Sequence, residues 1–306
     1  MYYYWAYGLT IKSEMEFPEL LALPENEFND IELVCGIAPE HNQENLHDVK
    51  KNIYISSDAY KLILPDVATY WAENGNSIII QPVLLADRSK VRLFCLSNVF
   101  AAILNQRGII PIHAAALKVN NRLVLICGHS GAGKSTLVGD LKSRGFSVFS
   151  DDVCVPETNL SNQILMYSSY PMMKFWDETI KRLPNLGEPD VQLRPDVNKF
   201  GFYFHEQFDN SPKQPVLVFF LEKLEDLQQV EVQEVKGFKL FQYLESNAYR
   251  GEYLGAFDLR EKHFDFFSNL ANQLRGFVIK RPKGEDSIDY ITDVVFEKIN
   301  QQFSYE

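Results

Sequence analysis

The rhythm of apolar and polar positions changes once, near residue 87. Before it, short apolar runs at 3–11, 31–35, 52–56 and 77–85 are separated by turn residues such as Pro24, Gly36, Pro39 and the Asn74, Gly75, Asn76 triplet. That pattern predicts a β-rich lobe over residues 1–86. The polar stretch 41–51 predicts an exposed loop. From Asp87 onward, Val91, Phe94, Cys95, Val99, Ala102 and Ile103 recur at i, i+3 and i+4 spacing, and Gly108 stops the run. This predicts a helix of about five turns leading into a second unit, residues 87–306.

The second unit opens with apolar runs at 108–118 and 122–127, joined by Asn120 and Asn121. A glycine-rich loop, a helix over 134–144 ended by Gly145, and a strand over 146–149 follow. Further on, 216–221 and 229–235 read as strands, 238–246 as a helix and 277–280 as a strand. Ile288, Ile291, Val295, Ile299 and Phe303 mark an amphipathic last helix starting near Asp286 and Ser287. Between Pro156 and Pro212 the pattern is irregular and studded with prolines, the kind of long stretch that is more often functional than idle. Strands alternating with helices make the unit α/β.

Gly128 to Thr136 fits G-x-x-x-x-G-K-[ST], with Gly128, Gly133, Lys134 and Ser135 at the fixed positions. A phosphate needs a ring of donors at close range, and backbone N–H groups without Cβ obstruction supply it. The helix that follows adds its free N–H groups and positive dipole end. Ser130, Gly131, Ala132 and Thr136 complete the cradle, Lys134 reaches the β- and γ-phosphates, and the Ser135 hydroxyl is placed to hold Mg²⁺. A chance match in a chain of this size is on the order of one in a hundred.

Seventeen residues after Lys134, Asp151 and Asp152 follow a strand. Taken alone, such a pair caps a strand-to-loop turn. A strand ending there returns its C-terminal edge to the phosphate loop, where one carboxylate can hold Mg²⁺ and the other accept a hydroxyl proton. His113 stands in an otherwise apolar run, where a histidine is ordinarily a hydrogen-bonded core residue. The other five histidines show no metal-ligand spacing.

Composition narrows the field. The 306 residues carry 41 acidic against 30 basic side chains, a net charge of -11, and no basic run, so nucleic acid is a poor partner. Cys35, Cys95, Cys127 and Cys154 form no C-x-x-C pair. No apolar stretch approaches the roughly 20 residues of a membrane span, and the first residues lack a leader pattern; the cytoplasm is the expected location.

His113-Ala114, the phosphate loop, Arg144-Gly145, a strand and the Asp151-Asp152 pair together resemble the HPr serine kinase/phosphorylase family, most densely from His113 to Val153. Tyr4 to Glu14, Pro18 to Leu20, and Gln106 to Gly108 resemble one branch of it, the HPr-kinase-like proteins of lasso peptide biosynthesis, some of which phosphorylate the precursor at its C-terminal serine. The resemblance implies a P-loop kinase core of the HPr kinase/PEP carboxykinase-like type behind a small β-rich N-terminal lobe. It implies ATP and Mg²⁺ as cofactors, Gly128 to Thr136 on the phosphates, Ser135 and Asp152 on the magnesium, Asp151 as base and His113 beside the transferred phosphate. Lys174, Arg194, Lys199 and Arg250 are downstream cations available to the transition state. The implied acceptor is a peptide or small protein; family members form hexamers, which leaves a homo-oligomer open. Residues 1–86 and Thr136 depart from authentic HPr kinases.

ATP-dependent phosphoenolpyruvate carboxykinase is similar at the nucleotide site alone. The rivals to a peptide serine kinase are an HPr-type kinase/phosphorylase, a small-molecule kinase resembling adenylylsulfate kinase, a nucleotide-dependent switch and a non-catalytic binding module. Against the switch, no second apolar strand ending in an acidic residue is seen at a conventional distance from the loop.

Overall fold

The structure, a computed structural model, describes residues 1–40, 47–183, 186–194, 196–284 and 287–304. The first lobe is one nine-stranded sheet: β1 (Tyr2–Ala6), β2 (Leu9–Ser13), β3 (Leu21–Ala22), β4 (Ile31–Cys35), β5 (His47–Lys50), β6 (Ile53–Ile55), β7 (Ala59–Leu64), β8 (Ala68–Glu73) and β9 (Ser77–Pro82), in the order β3-β1-β2-β4-β9-β8-β7-β6-β5. The run at 3–11 is therefore a hairpin and not one strand. Tyr7 and Gly8 both take positive φ, 59° and 79°, the geometry of a tight two-residue hairpin turn. The run at 77–85 stops at Pro82, and Leu85 turns the chain with φ 63°. Of the expected loop at 41–51, residues 41–46 lie outside the described residues, whereas 47–50 pair with β6 as a strand.

The linking helix forms as the periodicity predicts, but in three pieces: α1 (Arg88–Phe94), a π-helical turn (Cys95–Val99) and α2 (Phe100–Gln106). Asp87 caps it, its carboxylate accepting the Ser89 and Lys90 N–H groups.

The second lobe runs β10 (Ala114–Val119), β11 (Arg122–Gly128), α3 (Lys134–Ser143), β12 (Ser147–Ser150), β13 (Val155–Thr158), β14 (Ile164–Tyr167), β15 (Met172–Trp176), α4 (Asp177–Arg182), β16 (Val191–Arg194), β17 (Val197–Tyr203), β18 (Gln214–Leu224), β19 (Glu231–Val235), α5 (Gly237–Glu245), α6 (Arg260–Gln273), β20 (Arg275–Pro282) and α7 (Ile288–Phe303). The expected start of the last helix at Asp286 lies outside the described residues. The expected strand at 108–118 begins only at Ala114, since Pro111 withholds a ladder N–H and Ile112 makes isolated bridges to Cys154 and Ala248. The stretch 156–212 is not irregular: it holds the β13-β14 hairpin, α4 and the three-stranded sheet β15-β17-β16. Strands this short carry too few alternations to register as a period.

A mixed six-stranded sheet, β12-β10-β11-β18-β20-β19, is the centre of this lobe. β11, β18 and β20 run parallel and are buried on both faces, which is why they read as continuous apolar runs. Val124, Ile126, Leu217 and Phe219 face α3 and α7 with Leu137, Ile291 and Val295. Leu125, Val218 and Phe220 face α5 and α6 with Leu240, Leu244 and Phe267. The second of these cores continues through α1 and α2 into the nine-stranded sheet, taking in Tyr7, Phe17, Ile78 and Phe100.

Candidate active site

β11 ends at Gly128 against its neighbour β18. A Cβ there would lie 2.6 Å from the Leu221 carbonyl oxygen, and φ is 146°. Gly131 and Gly133 also take positive φ, 81° and 108°, and Gly133 leads into α3. The motif's glycines thus curl the backbone onto a helix N-terminus, where free N–H groups and the dipole favour an anion. Ser130 and Gly131 are exposed, Ala132 is buried, and Ser135 and Thr136 are half-buried. The Thr136 hydroxyl is hydrogen-bonded to Thr179 on α4 at 3.0 Å.

Lys134 opens α3 and is only 8% exposed. Its ammonium folds back on the loop, donating to the Gly128 carbonyl, to His113 Nε2 at 3.1 Å and to the His129 carbonyl at 3.4 Å. His113 Nδ1 lies 3.0 Å from the Asp152 carbonyl oxygen. A carbonyl only accepts, so Nδ1 carries the proton and Nε2 turns its lone pair to the ammonium. Burial lowers the proton affinity of both His113 and Lys134, so the imidazole is neutral at neutral pH.

The acidic pair reaches the same edge by topology. β12 is antiparallel to β10, and β10 to β11, so β12 emerges beside the end of β11. Asp151 is 3% exposed; Oδ2 accepts the Lys174 backbone N–H at 2.8 Å and the buried Oδ1 has no hydrogen-bond partner. The Asp152 side chain is 31% exposed and pairs through Oδ2 with the buried Lys174 ammonium, which also lies 3.3 Å from the Tyr170 hydroxyl. Burial, then the neighbouring Asp152 charge, raises the Asp151 pKa. Burial also works against an ionised Asp152, but Lys174, His113 and Lys199 outweigh it and hold that carboxyl below the usual range. Lys174 itself is held firmly protonated: burial works against its charge, but Asp152 and Tyr170 more than offset it. Burial and the Asp152 charge thus raise one carboxyl, while the Lys174 ammonium paired with the other holds it low.

Of the four cations flagged by sequence, Lys174 lies within the site and Lys199 at its rim. Arg194 is ion-paired with Asp196, and Arg250 lies over the Tyr249 ring at 5.7 Å. Arg250 takes a left-handed backbone, φ 55°, and its Nε is buried without a partner.

Several site residues were not singled out by the sequence. Asn247 accepts the Gly128 N–H through Oδ1 at 3.1 Å, and its carbonyl accepts the His113 N–H. Tyr249 packs its ring on His113 at 5.8 Å. Arg281 donates to the Ala132 carbonyl at 3.2 Å. β18, the strand beside β11, does end its apolar run in an acidic residue: Glu222 follows Leu221, and its charge, after burial, raises the Tyr243 pKa. Its distance along the chain hid it. None of these carries a motif signal, since each comes from a segment joined to the loop only by folding.

Among the described residues no cluster of three or more His, Cys, Asp or Glu side chains is arranged to hold a metal ion. Ser135 and Asp152 fit a different demand. Lys174 takes one Asp152 oxygen and leaves the other, and Mg²⁺ beside a nucleotide needs only one or two protein oxygens besides phosphates and waters. No described helix is long and apolar enough to cross a membrane. A cleft of about 780 Å³ between the β1-β2 turn, β13 and α6 is lined by none of the phosphate-loop residues.

No protein-family model and no curated protein matches the chain. Among solved structures, the chain is similar to the HPr(Ser) kinase/phosphatase from Coxiella burnetii, at 14% identity over 64% of this chain and 93% of that one, with a TM-score of 0.32.

Proposed function

We propose that the protein is a Mg-ATP-dependent serine kinase that transfers the γ-phosphate to a peptide hydroxyl, with the C-terminal serine of a lasso precursor as acceptor. The observation that carries this reading is the meeting of Lys134, His113 and the Asp151-Asp152 pair at one sheet edge, with Asp151 buried and Asp152 paired to Lys174, so that their proton affinities part. A transferase of this kind needs one carboxyl that takes a proton and one that stays ionised. Asp151, with raised proton affinity and a free oxygen, is the base. Asp152 stays charged and, with Ser135, holds the metal ion. When bound, Mg²⁺ neutralises charge on the β- and γ-phosphates. The loop N–H groups and Lys134 orient the γ-phosphate, and Lys134 must leave the Gly128 carbonyl and His113 to do so.

The test is intact-mass analysis of a serine-terminated lasso precursor incubated with the protein, ATP and Mg²⁺. The expected result is one added phosphate, lost with the Ser→Ala peptide and with Asp151→Asn protein. ATP bound but never transferred would move the acceptor to another protein or a metabolite. A second reading, hydrolysis without an acceptor, is favoured by Glu222 beside the phosphate-loop strand; ATP turnover indifferent to the peptide would establish it.

A further inference from the structure

β15 and β17 pair antiparallel, with Lys174 opposite Gly201 and Trp176 opposite Lys199. Directly opposed residues, and residues two apart on one strand, share a face. Lys174, Trp176, Lys199 and Gly201 therefore form one surface, whose reverse carries the buried Phe175 and Phe202. Lys174 reaches inward to Asp152. Two residues further along, Trp176 is 46% exposed and the Lys199 ammonium lies over its ring at 5.5 Å. Among the described residues no carboxylate is in ion-pair range of Lys199: Asp177 is held by Lys181, and Asp196 by Arg194 and Lys90. A lysine with no carboxylate in ion-pair range among the described residues, beside an exposed indole and at the rim of the site, is unusual in a chain of net charge -11.

We propose that Lys199 and Trp176 form the docking point for a carboxylate of the acceptor, the α-carboxylate when the phosphorylated serine is terminal. This rests on the kinase reading above. The spans agree. Diagonal neighbours on adjacent strands lie about 7–8 Å apart. A terminal serine has its hydroxyl and α-carboxylate about 3–4 Å apart by covalent geometry, and an ion-pair contact adds about 3 Å. A carboxylate on Lys199 thus brings the hydroxyl towards the Asp151-Asp152 end of the same face. Trp176 gives the terminal residue an apolar wall and holds the ammonium in place. The Lys199 charge acts on both carboxyls and on Lys134.

The experiment compares one serine-terminated precursor peptide as free acid and as C-terminal amide, with wild type, Lys199→Met and Lys199→Arg. Transfer is read by mass, and docking separately by tryptophan emission, assigned to Trp176 with Trp176→Phe. In wild type the free acid should have a KM about tenfold below the amide. Lys199→Met should erase the difference, Lys199→Arg should keep most of it, and KM for ATP should be unchanged in both. Equal KM values for acid and amide in wild type would overturn the docking point while leaving the kinase standing. A rise in KM for ATP in Lys199→Met would overturn it too, assigning the cation to a nucleotide phosphate. A Lys199-dependent emission change with the acid alone, without transfer, would support the docking point and sink the kinase reading. Neither transfer nor emission change would overturn both.

Discussion

At the scale of residues, the site turns on how burial and one ion pair divide two adjacent carboxyls. Asp151 binds its proton more tightly in the folded chain than in the unfolded one. Such a group stabilises the fold while protonated, and that contribution is lost as pH rises through its folded pKa. Asp151→Asn should therefore raise Tm above wild type at neutral and alkaline pH, by about 2–4 °C, with the gain shrinking towards about pH 4. Thermal melts across pH check this. The same substitution should abolish transfer and leave ATP affinity intact, and the wild-type kcat/KM should fall with acid at a pH above the usual carboxylate range. Asp152 behaves oppositely, because its charge holds the buried Lys174 ammonium. Asp152→Asn should cost up to about 3 kcal/mol, and adding Lys174→Met should recover much of that by removing the stranded charge. Denaturant titration of the single and double variants would expose an additive result, which would contradict the pairing.

Among elements, the π-helical turn between α1 and α2 does more than join the lobes. A π turn breaks the regular i to i+4 bonding, and here tyrosine hydroxyls from distant segments take up its carbonyls. Tyr7 donates to the Leu96 oxygen at 2.6 Å and Tyr249 to the Ser97 oxygen at 2.9 Å. Tyr7 packs on Tyr170, the partner of Lys174, and Tyr249 on His113. The turn therefore holds the aromatic wall behind the site, in line with the habit of π turns to mark functional positions. Tyr249→Phe should cost about 1 kcal/mol by removing a part-buried hydrogen bond, read as a lower denaturation midpoint with an unchanged slope. Gly128→Ala should be worse for function than for folding. Its Cβ meets a backbone oxygen that cannot step aside, so the loop must open and ATP affinity should collapse in a direct binding titration.

For the whole molecule, the decisive fact is that the two lobes share a core. One apolar cluster runs from Tyr4 and Phe17 through Val91 and Phe100 to Phe220 and Val278. Trp5 packs on Tyr167 and Phe208 across the boundary. Residues 87–306 expressed alone should expose that surface and fail to give a cooperative melt; a sharp two-state transition of the truncated chain would show the lobes to be independent.

How much of this was legible without coordinates follows from the range of each interaction. The phosphate loop, the helix after it, the Asn120-Asn121 turn and the long helix from Asp87 are set by neighbours within a few residues, through glycine φ, capping and helical period, and their residues announce them. The Tyr7-Gly8 turn obeys the same local rule but lay inside an apolar run. Helix α6 carried a signal too, in Phe264, Phe267 and Leu270, yet its mostly polar surface concealed it. Strands of four to seven residues between 155 and 203 are held by partners elsewhere in the chain, so no window shows them. The site divides along the same line. The chain by itself determined the glycine turn into a helix, with Lys134 and Ser135 at its start, and the adjacency of Asp151 and Asp152. Only the tertiary structure decided that Asp151 is buried while Asp152 pairs with Lys174, and that His113 meets the resting Lys134. It alone placed Asn247 and Tyr249 around the loop and Glu222 at the end of the neighbouring strand, and left Lys199 with no carboxylate in ion-pair range among the described residues. Proton affinity and ion pairing depend on burial and on distance through space, and neither is a property of spacing along a chain.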